Sequence, residues 1–409
     1  MFNLHATAAS LGIVALIIFV LAYMLVMTEE FTHLRKSKPV ILAAGLIWIT
    51  VSILASRAGL SAQAEESLRH YFGEYCELFL FLLVAMTYVN SLSERNVFQV
   101  LRCWLINKGY SYRTIFWITG ILSFFISPFA DNLTTALVMC AVVVAVGGEN
   151  KKFISVGCVN IVVAANAGGA FSPFGDITTL MVWQKGIIPF HDFFAIFLPS
   201  VVNYLAPAII MTFAVPKLKP KVDIQDARFK RGAKRMIALF LLTIVTAVCF
   251  HQYLHLPPAI GMMTGLSYLM FLSYQIRRED RKKGNSESDR FNFFRKVERA
   301  EWDTLLFFYG IIVCVGGLSA IGYLAWLSDG LYLHLGNYMG LSAAQNATPA
   351  NILIGLISAI IDNIPVMFAV LTMHPSMSEG QWLLVTLTAG VGGSLLSIGS
   401  AAGVALMGQ

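Results

Sequence analysis

Apolar stretches long enough to cross a bilayer recur along the chain, and the charged residues are concentrated in the short segments between them. A hydrocarbon core about 30 Å thick takes roughly 20 apolar residues of helix to span. The pattern therefore predicts an all-α, polytopic membrane protein. The apolar windows run 11–27, 39–54, 75–92, 114–147, 152–183, 193–215, 236–250, 257–276, 304–327, 350–373 and 382–407. A soluble helical bundle would need a charged stripe along each helix, and these windows carry none. No Lys or Arg precedes the first window and no small-residue cleavage site follows it, so it reads as a retained helix rather than a cleaved signal.

Loop charges orient the windows. Arg35, Lys36 and Lys38 mark an inner loop by the positive-inside rule, as do Arg95, Arg102, Lys108 and Arg113. Lys151 with Lys152, the block from Lys217 to Arg235, and 277–299 do the same. The loops 251–256 and 328–349 hold no Lys or Arg. The sides alternate without conflict only if 114–147 returns to the side it entered from, as a hairpin that re-enters or spans twice. The window 350–373 is too short to cross twice as helix, so a re-entrant hairpin is expected there. The charged stretch 277–303 is expected to be a mobile inner loop.

Composition supports this class. Of 409 residues 57% are hydrophobic and 13% charged, against about 25% charged in soluble proteins. The net charge of +6 lies in inner loops, so it is a topological signal and not a nucleic-acid footprint. The expected partner is the lipid bilayer, with no nucleic acid. Six cysteines stand singly, without a CxxC or Cys/His cluster, which predicts neither disulfides nor a metal–thiolate site. No resident cofactor is expected.

Two pairs of segments resemble each other. Ser127-Pro128-Phe129-Ala130-Asp131-Asn132-Leu133-Thr134 matches Ser358-Ala359-Ile360-Ile361-Asp362-Asn363-Ile364-Pro365, and the stretch from Ala167 to Asp176 matches that from Val391 to Ser400. The separations, 231 residues from Ser127 to Ser358 and 224 from Ala167 to Val391, are nearly equal. The loop charges bring the first hairpin in from the inner side and the second from the outer side. The halves are then related by an axis in the membrane plane, as in many secondary transporters. The expected organisation is a first inverted repeat over 1–215, with hairpin 114–147 and broken helix 152–183. A cytoplasmic linker over 216–235 follows, then a second repeat over 236–409, with hairpin 350–373 and broken helix 382–407. On this symmetry 193–215 has no counterpart after Gln409, so the second repeat is expected to lack its final helix.

The candidate chemistry sits at the hairpins and breaks. Gly168-Gly169, Ser172-Pro173 and Gly175 cannot continue a stable helix, since glycine costs about 1 kcal/mol and proline about 3 at interior positions. Irregular backbone at membrane depth is tolerated where it is buried in protein or lines a cavity. Asp131, Asp176 and Asp362 lie deep in apolar windows, and the single Lys or Arg within those windows is Lys152, at the very start of 152–183 and far from Asp176. An aspartate at a helix centre costs about 2.5–3.5 kcal/mol on insertion scales, a cost that persists where the group binds something. A purely structural alternative is a protonated Asp donating to a freed carbonyl. Asn132, Thr134, Asn166, Ser172, Thr178, Asn363, Ser397 and Ser400 surround the three acids with oxygens suited to a small hard cation. Burial disfavours the charged form of any carboxylate, so proton and cation would compete for the same oxygens. Asp176 has Ser400 as its counterpart, which makes the expected site electrostatically asymmetric.

At these motifs the chain resembles the NhaD-type sodium/proton antiporters. That group belongs to the ion transporter superfamily, with the divalent-anion/sodium symporters and arsenite permeases. The stretches Ser127–Thr135 and Asn166–Thr179 carry the likeness, which covers essentially the whole chain. It implies exchange of Na⁺ or Li⁺ for H⁺ by alternating access, no enzymatic activity, a homodimer with a scaffold and a transport domain in each protomer, and the bacterial cytoplasmic (inner) membrane. The transported Na⁺ or Li⁺ would be held by Asp131, Asp176 and Asp362. A sodium-coupled, dicarboxylate-like anion symporter of the same fold is the competing reading. It would need a cationic or neutral anion pocket, against which the three acids argue.

Overall fold

The computed structural model describes residues 3–148, 150–219, 226–282, 291–342 and 345–395, and every regular element among them is a helix. In chain order these are α1 Ser10–Met27, α2 Glu29–Thr32, α3 Ser37–Arg57, α4 Ser61–Glu94, α5 Val97–Asn107, α6 Tyr112–Ala130, α7 Asn132–Gly147, α8 Lys151–Gly169 and α9 Ile177–Gln184. A 3₁₀ segment Phe190–Ile196 leads into α10 Phe197–Thr212, followed by α11 Ala233–Leu254, α12 Pro258–Lys282, α13 Phe294–Glu298, α14 Trp302–Ile321 and α15 Tyr323–Ser328. A π-helical segment Asp329–His334 joins α16 Leu335–Tyr338, and α17 Thr348–Ser358, α18 Asn363–Met373 and α19 Glu379–Gly392 complete the series. Among the described residues eight helices are long and apolar enough to cross a membrane. Large apolar side chains face outward on them, among them Ile17, Leu21, Leu42, Leu198 and Ile210. In water such surfaces would aggregate; in lipid they are solvated. The chain is a multi-pass membrane protein.

Two compact units divide it. The first comprises 1–79 and 301–389, the second 80–300 and 390–409. In the first unit α3 packs along α1 and α14, and α14 along α18. In the second, α8 packs on α6, α7 and α10, while α11 and α12 form an antiparallel pair.

Several elements differ from the sequence expectation. The window 75–92 is the latter part of α4, which starts at Ser61. Its polar first turns are held by i,i+4 pairs, Arg69 with Glu65 at 2.7 Å and His70 with Glu74 at 2.8 Å. Hydropathy alone does not register such an extension. The window 304–327 is interrupted at Gly322, where the backbone turns left-handed at φ 112° and α15 restarts. The stretch 277–303 is not a loop throughout. The helix α12 runs on to Lys282, Phe291 and Phe293 are buried, and buried Lys296 on α13 pairs with Glu94 at the end of α4. Arg95 pairs with the same Glu94 at 2.6 Å. Two apolar rings and a shared carboxylate offset the charge that made this segment read as mobile.

Candidate functional site

In the second unit two helix breaks lie against each other. The helix α6 runs through Pro128 to Ala130 and stops at Asp131, whose φ of 54° and ψ of 160° lie in a region that is nearly glycine-only. Such backbone costs on the order of 1–3 kcal/mol and persists where surrounding structure enforces it. Asp131 then caps α7: the Thr134 amide donates to Oδ1 at 2.8 Å and the Thr134 hydroxyl to Oδ2 at 2.9 Å. Asp131→Ala is expected to lower stability by about 1 kcal/mol through loss of this cap. Asp131→Asn, which keeps an acceptor for the Thr134 amide, should cost less. Thermal unfolding of both variants in detergent checks the order.

The second break separates α8 from α9 over 170–176. It brings backbone against backbone, because a Cβ on Gly168 would lie 2.1 Å from the Phe124 carbonyl oxygen. Carbonyls freed by the two breaks find hydroxyls. Ser127 Oγ donates to the Ala165 oxygen at 2.6 Å, Ser172 Oγ to the Pro128 oxygen at 2.9 Å, and Thr179 Oγ1 to the Ala170 oxygen at 3.2 Å. Ser172 is therefore a stitch between the breaks.

Asp176 starts α9, its Oδ1 accepting from the Thr178 amide at 3.0 Å, and its side chain is buried at 4% exposure. Its Oδ2 faces the Asn132 Nδ2 at 3.5 Å. Asn132 also donates to Asn166 Oδ1 at 3.1 Å, and Asn166 donates to Ser394 Oγ at 2.8 Å. Gly390 admits α19 to this cluster, since a Cβ there would lie 3.1 Å from Asp176 Oδ2 and 3.3 Å from Thr178 Oγ1. Thr178 Oγ1 is buried without a hydrogen-bond partner among the described residues. A carboxylate oxygen, a threonine hydroxyl and two carboxamides thus converge.

In the first unit α17 ends at Ser358, whose Oγ donates to the Ala389 oxygen at 2.6 Å. The chain turns through 359–362 and resumes as α18 with Asn363 buried in its first turn. At 11 residues each, α17 and α18 are about 16 Å long, half of a hydrocarbon core. Asp362 makes no cap bond to α18. Its Oδ2 lies 3.8 Å from Lys36 Nζ, and its Oδ1 is buried without a hydrogen-bond partner among the described residues. The expectation that Asp362 has no basic partner is corrected here. The lysine comes from the turn before α3, far away in sequence, where a local window cannot register it.

Asn132, Asn166, Asp176 and Thr178 are therefore brought together, Asp131 is joined to Thr134, and Asp362 to Lys36. Ser397 and Ser400 lie outside the described residues. Within each unit, among the described residues, no three His, Cys, Asp or Glu side chains gather as a metal centre. A cation here would be held by one carboxylate with neutral oxygens. The sequence alone does not single out Ser394, Lys36 or Gly390: the internal match sets Ser400 opposite Asp176, and Lys36 also satisfies the topology rule as a loop charge.

The citrate transporter family model (CitMHS) matches residues 3–390. The chain is 57% identical to the Na(+)/H(+) antiporter NhaD of Alkalimonas amylolytica, over 99% of this chain and 86% of that protein. It is 55% identical to the protein of the same name from Vibrio cholerae, over 99% and 87%. Sodium/proton antiporter 1 of Arabidopsis thaliana is 31% identical over 98% of this chain and 68% of its own length.

Proposed function

Since the chain belongs to the NhaD family of sodium/proton antiporters, within the wider citrate-transporter family, we infer that the aspartates at its helix breaks bind Na⁺ or Li⁺ and H⁺ in turn, and so exchange one for the other across the bacterial inner membrane. The observation that carries the site assignment is Asp176. It is buried at 4% exposure, and its Oδ2 and the Thr178 hydroxyl, which has no hydrogen-bond partner among the described residues, both face Gly390. Small hard cations take oxygen ligands, and a carboxylate with a hydroxyl begins such a shell. Asn132 turns its amide nitrogen toward Asp176. A half-turn of that carboxamide exchanges donor for acceptor and presents its oxygen to an arriving cation. A proton on Asp176 removes the charge that holds the cation, so the two ligands exclude each other. Asp131 and Asp362 supply further carboxylates at the two hairpin turns.

The inverted repeat belongs to the same proposal. What supports it is a matched pair of stitches: Ser127 to Ala165 in one unit and Ser358 to Ala389 in the other, both 2.6 Å. These residues are offset by the same 231 and 224 positions that relate the hairpins and the breaks. The likeness to antiporters of this family also implies a homodimer, which crosslinking in the membrane would test.

Everted vesicles from a host lacking its own sodium/proton antiporters test the function. Na⁺ or Li⁺ added to respiring vesicles is expected to dissipate the inside-acid gradient within seconds, whereas succinate and citrate leave it unchanged. A response to citrate or succinate with none to Na⁺ would overturn the antiport reading in favour of the anion symporter.

A further inference from the structure

The Lys36–Asp362 pair has features that a topological lysine does not need. Lys36 sits in the turn immediately before α3, yet its side chain is only 19% exposed. Its ammonium lies 4.7 Å from the centroid of the Phe307 ring on α14, an arrangement that holds a cation by the ring's quadrupole. The turn itself is anchored, since the Ser37 hydroxyl donates to Asp303 at the start of α14. The charged and titratable groups around the pair come from several elements. Tyr23 on α1 lies against Asp362 and interacts with its backbone, and Glu301 feels the Lys36 charge. Neither α17 nor α18 carries another charged side chain. At 3.8 Å the ammonium and Asp362 Oδ2 are beyond hydrogen-bond distance. The pair is a charge contact that an ion could part.

Asp131, at the corresponding hairpin turn, is engaged by its own helix through Thr134. Asp362 makes no such cap and has a buried oxygen without a hydrogen-bond partner among the described residues. It is the aspartate whose carboxylate is left to an external cation, and a cation is already tethered there.

We propose that Lys36 is a positioning residue for exchange: its ammonium is a built-in competitor that neutralises Asp362 when no transported cation is bound and is displaced toward Phe307 and Glu301 when one arrives. Lys36 thereby sets the sodium concentration at which the carrier loads. This rests on the reading that Asp362 is a cation-carrying carboxylate, so the experiment must separate the two.

Purified protein in proteoliposomes is assayed for Na⁺- and Li⁺-driven proton movement at one fixed pH. Lys36→Gln and Lys36→Met remove the competitor and are expected to lower the apparent KM for both ions about two- to fivefold, the worth of a partly exposed ion pair. Lys36→Arg, which keeps the charge, returns KM toward the wild-type value. In an Asp362→Asn background, Lys36→Gln should produce no further change in KM, because the two act on one contact. An unchanged KM in Lys36→Gln, or a change in maximal rate alone, overturns the proposal. So does failure of both neutral variants to accumulate in the membrane, since the lysine would then serve folding. If Asp362→Asn itself keeps the wild-type KM, the site reading falls and the proposal with it. If Asp362→Asn is impaired while Lys36→Gln is not, the proposal falls alone.

Discussion

Asp176→Asn is expected to reduce sodium-dependent proton exchange by about two to three orders of magnitude while leaving the fold intact. Asparagine is nearly isosteric with aspartate and is itself a good N-cap, so the bond from the Thr178 amide to Oδ1, 3.0 Å in the wild type, is kept. What disappears is the charge at a side chain with 4% exposure. Removing one partner from a buried charge pair costs about 3–5 kcal/mol, and each 1.4 kcal/mol is a factor of ten in binding. A cation brought into this cluster without the carboxylate would be such an orphan. Exchange rates across a range of Na⁺ concentrations, with unfolding temperatures of the same preparations, measure both halves of the expectation. Exchange within tenfold of wild type would move the cation away from Asp176, leaving the aspartate as a helix cap. Thr178→Val is the graded companion. It deletes one neutral ligand and should raise the KM for Na⁺ by about tenfold, the scale of a single hydrogen-bonding or ligating group.

The sequence was informative where its signals are local. Gly168-Gly169 and Ser172-Pro173 break a helix through backbone preference alone, and the break falls between Gly169 and Ile177. Asp131 marks the start of a helix because a carboxylate beside freed amides is a local event. The capping bond is also legible, since the spacing from Asp131 to Thr134 is that of an N-cap and its third residue. That spacing gives Asp131 a structural role to set beside any role in transport.

Partners that are remote in sequence were not legible. Lys36 meets Asp362, and Ser394 meets Asn166, across hundreds of residues. A hydropathy window registers neither. Lys36 is ambiguous in sequence for a definite reason: a lysine at the inner end of a span satisfies the topology rule whether its side chain is in water or turned inward against Phe307. Ser394 escaped because a symmetric match compares each position with its counterpart in the other repeat, whereas the Asn166 network joins positions that are not counterparts. Thus the position of the breaks could be read from composition, but the hydrogen bonds between them required the packing.

That packing gives the second large effect. Gly168→Ala is expected to destabilise the protein by several kcal/mol, enough to deplete it from the membrane at growth temperature. An added Cβ would lie 2.1 Å from the Phe124 oxygen and 2.8 Å from both its carbonyl carbon and its Cα. All three are backbone atoms of α6, so no side chain can rotate away and the helix itself must shift. Overpacking in a well-packed interior costs about 1–3 kcal/mol, occasionally more, and a backbone clash belongs at the upper end. The shift would also pull Ser127 from the Ala165 carbonyl and Ser172 from the Pro128 carbonyl. Buried acceptors left unpaired add about 1–3 kcal/mol each. Gly73→Ala is the control, because an added Cβ there meets no atom within 4 Å, and alanine in place of a helix-interior glycine gains about 1 kcal/mol. Membrane abundance and the detergent unfolding temperature should therefore move in opposite directions in the two variants. If Gly168→Ala unfolds at the wild-type temperature, α6 and α8 are farther apart than this contact requires. The stitches that align the two breaks would then not hold Asp176 against Asn132.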